Sequence, residues 1–227
     1  MNLLWQQIQS PLITEILTLN TSFDGVVLDA EHGFFSPEGL LHCIRAVKKN
    51  KLVFVRLPSI DKTLVSYTLD AGAHGIIFAN VQSSHEVSKI IECAFFPPKG
   101  KRGLGFAPYN HWGELLDLGI EKSPILIPQL ESVEAVNNIR DLVNDVFRFY
   151  LIGPYDLSLS LGCPGNYKSH LFRDALRRLS ESLPDFKLGV HLPKIDADQT
   201  DQFRDFGLRC HGMDTTYLAR YAKFPTV

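Results

Sequence analysis

The chain of 227 residues is poor in cysteine (4), methionine (2) and tryptophan (2), and its 23 Lys+Arg against 25 Asp+Glu leave a formal net charge of only −2. Each shortage tells against a class of protein. Cys43, Cys93, Cys163 and Cys210 lie far apart with no CxxC pair, which fits reduced, buried thiols rather than a disulfide frame or a zinc site. No basic cluster exceeds Lys48-Lys49 plus Lys51, so neither a nucleic-acid backbone nor an anionic membrane finds a footing. Apolar runs such as Gly25 to Leu28 and Gly75 to Ala79 fall far below the roughly 18 to 20 residues that span a bilayer. Met1 to Gln7 lacks a basic n-region and a small-residue cleavage site, so the expected location is cytoplasmic.

What is present is a repeated unit: a short buried strand, a polar or Gly/Pro corner, then an amphipathic stretch of helical spacing. Strands are expected at Leu3 to Trp5, Gly25 to Ala30, Leu52 to Leu57, Gly75 to Ala79, Ile125 to Leu130, Arg148 to Ile152, Lys187 to Leu192 and Arg209 to Met213. Helices are expected at Pro11 to Leu19, Pro37 to Lys49, Lys62 to Ala71, Ser84 to Phe95, Ser132 to Val143, His170 to Ser182, Ala197 to Phe206 and Thr215 to Lys223. Ser36-Pro37-Glu38 and Ser132-Val133-Glu134 carry helix start signals. Val26-Val27-Leu28, Val53-Phe54-Val55 and Ile76-Ile77-Phe78 are apolar on consecutive residues, as burial on both faces of a parallel sheet requires. Eight such units predict an α/β fold closed into a short (β/α)8 TIM barrel, one domain over 1–227, with a long loop at about 97–123.

A barrel places its site at the C-terminal ends of the strands. Asp29, Glu31, His32, Arg56, Gln129, Glu131 and Asp156 fall there. Glu131 and Asp156 are two hard oxygen donors suited to one Mg²⁺, Mn²⁺ or Co²⁺, or alternatively a pair of carboxylates capping helix N-termini. Arg56 can steady negative charge on an oxygen, or form a structural ion pair with Asp29 or Asp70. His32 can serve as a base, with Asp29 or Asp70 orienting its ring, and Glu31 supports it from behind. Backbone N–H groups near Tyr155 and Asp156 can receive a carboxylate at a helix start. His42, His74, His85, His170 and His211 read as structural. Asp214 reads as an N-cap. No predicted strand carries a lysine near its C-terminal end, which tells against a Schiff-base mechanism. Arg102-Gly103-Leu104-Gly105 does not join a strand to a helix, so it is not a phosphate loop. Its neighbours Phe106, Tyr109, Asn110, His111 and Trp112 are expected either to lie over the mouth and shape an aldehyde pocket or to form a hydrophobic interface.

Several of these segments occur together in one known pattern. Asp29-x-Glu31-His32-Gly33, Val55-Arg56-Leu57-Pro58, Leu69-Asp70-Ala71-Gly72-Ala73, Pro97-Pro98-x-Gly-x-Arg102-Gly103-x-Gly105, Gln129-x-Glu131-Ser132 and Gly153-Pro154-x-Asp156-Leu157-Ser158 run in order from about Phe23 to Tyr217. In this the chain resembles the HpcH/HpaI aldolase family. The resemblance implies a metal-dependent class II aldolase that splits a 4-hydroxy-2-oxo acid into pyruvate and an aldehyde through an enolate. It implies Glu131 and Asp156 as metal ligands, His32, Arg56, Asp29 and Asp70 as catalytic residues, and Gln129, Tyr155, Asp156 and Arg102 as substrate contacts. It also implies a homo-oligomer, trimer or hexamer, in which Asp70 comes from a neighbouring subunit. Related alternatives keep the barrel and change the substrate to a CoA thioester or a phosphoenolpyruvate-type acid, Arg102, Lys99 and Lys101 then forming a basic rim, or make the chain a non-catalytic metabolite-binding barrel.

Overall fold

Strands with apolar residues at consecutive positions need cover on both faces, and a ring of parallel strands inside a ring of helices supplies it. The computed structural model describes residues 1–19, 21–117, 123–193 and 201–222. Strands β1 (Asn2–Gln6), β2 (Gly25–Asp29), β3 (Leu52–Leu57), β4 (Gly75–Phe78), β5 (Ile125–Leu130), β6 (Tyr150–Ile152), β7 (Leu188–Leu192) and β8 (Leu208–His211) pair in parallel and in chain order. The ring closes where β1 pairs with β8, Leu3 lying opposite Cys210. The expected TIM barrel is therefore the fold.

Alternation along the strands sorts side chains between two cores. Leu3, Trp5, Val27, Phe54, Ile77, Ile127, Leu151 and Cys210 fill the barrel interior. Val26, Leu28, Val53, Val55, Ile76, Phe78, Leu126, Ile152 and Val190 face the helices. Two residues on from an interior position, the same phase brings Asp29, Arg56 and Gln129 to the C-terminal end of the interior. The β2–β3 register sets Asp29 directly beside Arg56.

The helices are α1 (Pro11–Thr18), α2 (Pro37–Ala46), α3 (Lys62–Asp70), α4 (Ser84–Ala94), α5 (Glu114–Asp117), α6 (Val133–Asn137), α7 (Ile139–Leu142), α8 (Pro154–Ser160), α9 (His170–Ser182) and α10 (Asp214–Tyr221). Side-chain caps start many of them: Ser36 Oγ accepts from Gly39 N at 3.1 Å, and Ser132 Oγ from Ala135 N at 3.2 Å. No helix among the described residues is long and apolar enough to cross a membrane.

Four expectations change. The helix expected over Ser132 to Val143 breaks at Asn138, whose side-chain amide donates to the Gln82 carbonyl (2.9 Å) instead of leaving the turn regular. After β6, where only a helix start near Tyr155 and Asp156 is expected, the chain forms the seven-residue α8, with Pro154 at its first position. Asp214 does not cap α10. It is the first helical residue, and its carboxylate accepts from the backbone N–H groups of Gln7 (2.8 Å) and Ile8 (3.0 Å), fastening the exit of β1 to the last helix. The long connection is the largest correction. It joins the end of α4 to the start of β5, so it lies at the N-terminal end of the barrel and not over the mouth. Arg102, Pro108, Tyr109 and His111 there line a cavity of about 510 Å³ with His74, Pro124 and Ile125, which precede or begin strands. The expected helix Ala197 to Phe206 falls partly outside the described residues; Asp201–Phe203 is a 3-10 turn.

Candidate active site

Asp29 has no side-chain exposure, and its two oxygens collect six donors. Arg56 approaches it sideways, Nε to Oδ1 at 2.9 Å and Nη2 to Oδ2 at 2.7 Å, the bidentate geometry that a planar guanidinium and carboxylate share. Trp5 Nε1 and Gln7 Nε2 each donate to Oδ2 at 3.1 Å. The backbone N–H groups of Glu31 and His32 donate to Oδ1 at 3.2 Å, which bends the chain sharply after β2. Gly33 belongs to that bend, since a Cβ there would lie 2.3 Å from the Asp29 carbonyl oxygen. Arg56 keeps Nη1 for Glu31 Oε2, 2.8 Å away, and its guanidinium carbon sits 5.0 Å from the Trp5 ring centre. Burial alone would raise the Asp29 pKa. The hydrogen bonds and charge of Arg56, aided by Gln7 and Trp5, hold it down to about 2.

His32 follows this network with an exposed side chain at the mouth. Asp29 holds it by its main chain rather than by its ring. Asp70, the other expected partner of that ring, ends α3 at the opposite end of the barrel, paired with Arg102 (Nη2 to Oδ1, 2.6 Å). Arg102 is itself sandwiched, 4.7 Å from the Phe96 ring centre and 4.8 Å from that of Tyr109. Within one chain, neither Asp70 nor Arg102 reaches the mouth.

Across the mouth, β5 delivers Gln129 and Glu131, both buried. Gln129 Nε2 donates to Glu131 Oε2, while Gln129 Oε1 is buried without a partner. Gly153 at the end of β6 makes room for this pair: a Cβ would stand 2.7 Å from Glu131 Oε2 and 2.9 Å from Gln129 Nε2. α8 then carries Tyr155 and Asp156, both exposed, and Ser160 Oγ accepts from Val133 N (3.0 Å), tying the exits of β5 and β6 together. Burial first, then the charges of Glu31 and Asp156, push the Glu131 carboxyl up to about 7, against the pull of Arg56. Among the described residues no three His, Cys, Asp or Glu side chains converge on one metal position, so Glu131 and Asp156 form a two-carboxylate set at most.

The remaining wall was not anticipated. His191 on β7 is buried, its ring stacked on Trp5 at 3.9 Å with 15° between planes, and its Nε2 has no partner. Burial and the nearby Arg56 charge hold its pKa down to about 3, so the imidazole is neutral.

A barrel with these residues at its C-terminal mouth is matched by a family model, HpcH/HpaI aldolase/citrate lyase, over residues 2–218. The chain belongs to the HpcH/HpaI aldolase/citrate lyase family. It is 28% identical over 226 residues to the 4-hydroxy-2-oxovalerate aldolase of Novosphingobium aromaticivorans, spanning 96% of this chain and 86% of that protein. It is 28% identical over 169 residues to the 2-keto-3-deoxy-L-rhamnonate aldolase of Escherichia coli K12, spanning 72% of this chain and 63% of that one. The fold superposes on a crystal structure of an HpcH/HpaI aldolase/citrate lyase family protein from Burkholderia cenocepacia J2315 with a TM-score of 0.87 and 22% identity, over 97% of this chain and 91% of that one. As an HpcH/HpaI family member the chain is a carbon–carbon lyase of the aldehyde-lyase type.

Trp5, Gln7 and His191 are the residues of this lyase that sequence reasoning missed. Strand phase was the available signal, because Trp5 and His191 stand two residues beyond interior positions of β1 and β7. The basic rim imagined for a CoA ester is corrected by position: Lys101 pairs with Glu92 (2.8 Å), Lys99 lies 3.7 Å from the Phe95 ring centre, and Arg102 pairs with Asp70, all at the end of the barrel remote from Arg56.

Proposed function

We propose that the chain reversibly cleaves a 4-hydroxy-2-oxo acid into pyruvate and an aldehyde, with a divalent cation held by Glu131 and Asp156. The observation that supports this most directly is a charge imbalance. Three carboxylates, Asp29, Glu31 and Glu131, act on the guanidinium of Arg56, which pairs with the first two and keeps further N–H groups, and the Asp156 carboxylate acts on Glu131 in turn. A buried carboxyl pushed up to about 7 beside a second, unpaired carboxylate is an environment that a cation relieves. Oxygen donors of this kind suit Mg²⁺, Mn²⁺ or Co²⁺. Such an ion, when bound, polarises the ketone as a Lewis acid.

The chain's own groups do the rest. Arg56, locked in orientation by Asp29, faces the negative charge that grows on the ketone oxygen as the C3–C4 bond breaks, a preorganised donor that needs no rearrangement. His32, exposed beside it, takes the proton of the C4 hydroxyl as the aldehyde leaves and returns one in the reverse direction. Gln129 and the first backbone N–H groups of α8 at Tyr155 and Asp156 orient the acid. Asp70 and Arg102 enter only through a second copy of the chain, as in the trimer or hexamer that family likeness implies.

The test is pyruvate release from a 4-hydroxy-2-oxo acid after EDTA treatment and then after Mn²⁺ or Mg²⁺ addition. Activity is expected to vanish and return. A rate untouched by thorough metal removal, or a lysine adduct trapped by borohydride in the presence of pyruvate, overturns the proposal.

A further inference from the structure

Resting on that aldol reading, we infer that Gln7 and Thr215 are positioning residues: the first turn of α10 orients the Gln7 amide, and the amide holds the Asp29 carboxylate that sets Arg56 and His32. The last helix thereby belongs to the catalytic apparatus and does more than cover the barrel.

Gln7 leaves β1 in the phase of Leu3 and Trp5, which carries its side chain on from the interior row toward the mouth. Both ends of its amide are used. Nε2 donates to Asp29 Oδ2 at 3.1 Å, and Oε1 accepts from Thr215 Oγ1 at 2.8 Å. An ionised carboxylate only accepts, so Asp29 admits the amide in one sense; the reversed amide would set oxygen against oxygen. The Thr215 hydroxyl takes the role this leaves, as donor, and closes the amide in that sense. Thr215 is itself fixed. The Asp214 carboxylate accepts from its backbone N–H (2.8 Å) as well as from those of Gln7 (2.8 Å) and Ile8 (3.0 Å). Gln7 and Thr215 thus hang from one buried carboxylate, which sets their separation.

What the amide holds is the pivot of the site. Asp29 Oδ2 also receives Arg56 Nη2 and Trp5 Nε1, and Oδ1 receives Arg56 Nε and the N–H groups of Glu31 and His32. A carboxylate turned about its own axis would carry the guanidinium and the His32 bend with it. Trp5 and Arg56 reach Asp29 from strands; among the described residues Gln7 is the one side-chain donor to Asp29 tied at its other end to a helix. The His32 bend also leans on Gln7 directly, since a Cβ on Gly33 would stand 2.6 Å from the Gln7 carbonyl oxygen. Misplacing groups that act only in the transition state lowers kcat and leaves KM nearly still.

The test uses the full-length, Mg²⁺-loaded enzyme, with pyruvate release from a 4-hydroxy-2-oxo acid resolved into kcat and KM. Thr215→Val keeps the shape and removes the hydroxyl proton, Thr215→Ser keeps that proton, and Gln7→Leu removes the amide. We expect Thr215→Val and Gln7→Leu each to lower kcat about fivefold or more at nearly constant KM, and Thr215→Ser to recover most of the loss. The Gln7→Leu/Thr215→Val pair should be no slower than Gln7→Leu alone, because the hydroxyl acts through the amide. The Trp5 indole N–H shares Asp29 Oδ2 with Gln7 and gives a readout without turnover. Its ¹H–¹⁵N NMR signal, told from that of Trp112 by Trp112→Phe, should move in Thr215→Val and return in Thr215→Ser. Losses that multiply in the pair, a Thr215→Ser variant as slow as Thr215→Val, or an unmoved indole signal overturn the inference. Where Thr215→Val does not fold, Gln7→Leu decides: a raised KM with kcat unchanged overturns it. A wild type that releases no pyruvate sinks the aldol reading and leaves the Thr215–Gln7 link to the indole signal, whereas an active wild type with an unmoved signal sinks this inference alone.

Discussion

The two walls of the mouth are built on opposite electrostatic terms. On the β1–β3 and β7 side, Trp5, Gln7, Asp29, Arg56 and His191 form a closed network in which the buried ions are paired and hydrogen-bonded, Asp29 is held down to about 2 and His191 to about 3. On the β5–β6 side, Glu131 and Asp156 form no ion pair among the described residues, and Glu131 is pushed up to about 7 against the pull of Arg56. One wall is finished by the fold itself. The other is stable only when its carboxyl is protonated or when something positive arrives. The difference separates the group that must be preorganised to meet growing charge from the groups that must await a ligand.

The strongest way to break the comparison is to unbalance the closed wall. Asp29→Asn keeps the shape but leaves the Arg56 guanidinium buried against a neutral amide, with only Glu31 to compensate it. Breaking a buried pair from one side typically costs about 3–5 kcal/mol. Loss of an oriented donor for developing charge typically lowers kcat on the order of 10²–10³-fold. Urea denaturation and pyruvate release should both fall by these amounts. A variant with an unchanged urea midpoint and more than about a tenth of the wild-type rate would mean that the Asp29–Arg56 pair is ornamental, since oriented-donor losses are far larger.

The asymmetry also governs how much could be read from sequence. Asp29 and Arg56 are placed at the mouth by the strand ends that carry them and by the run of Asp29, Glu31 and His32 after an apolar strand, but only the β2–β3 register of the folded sheet chooses Asp29 over Asp70 as the partner of Arg56. Trp5 and His191 obey the two-residue phase of their strands. They were overlooked because an isolated aromatic or histidine in an apolar strand looks the same whether it faces the interior or the helices, and their stacking spans β1 and β7, at opposite ends of the sequence. The loop of Arg102 to Trp112 shows the converse failure. Its aromatics Phe106 and Trp112 are largely exposed, at 71% and 67%, and the end of the barrel it occupies follows from its lying between a helix and a strand, an order that the expected elements already carry and that its composition obscures. α8 is legible only as a helix start at Tyr155 and Asp156, because seven residues behind a Gly-Pro pair carry too little helical spacing to give its extent.

The open wall yields a prediction of its own sign. A carboxyl whose pKa in the folded chain is about 7, above the ordinary 4.5, binds a proton that the unfolded chain has released, so metal-free stability falls as pH rises through that window. By pH 8 the loss is on the order of 2–3 kcal/mol. Glu131→Gln removes the titration. In EDTA at pH 8 the variant should therefore unfold at higher urea than the wild type, the two converging toward pH 4.5, and Mn²⁺ should reverse their order at pH 8 by stabilising only the wild type. A wild type that is the more stable of the two in EDTA, with no dependence on pH, would show that Glu131 is already satisfied by the chain.

His191 should give the opposite slope, and a smaller one over the accessible range. Its folded pKa of about 3 lies below the ordinary 6.5, so as pH falls below 6.5 the unfolded chain takes up a proton that the folded chain refuses, and stability declines toward acid. Between pH 7 and 5.5 the decline is about 1 kcal/mol. His191→Phe keeps a ring against Trp5 and abolishes the titration. The lost bond to the Gly212 backbone adds an offset that does not vary with pH. The difference in unfolding free energy between wild type and variant, measured at several pH values, isolates the histidine from Glu131, whose slope is common to both. That difference should change by about 1 kcal/mol from pH 7 to 5.5, in favour of the variant at acid pH. A constant difference would mean that the imidazole accepts a proton inside the folded barrel, and that the closed wall is more permeable to charge than its hydrogen bonds imply.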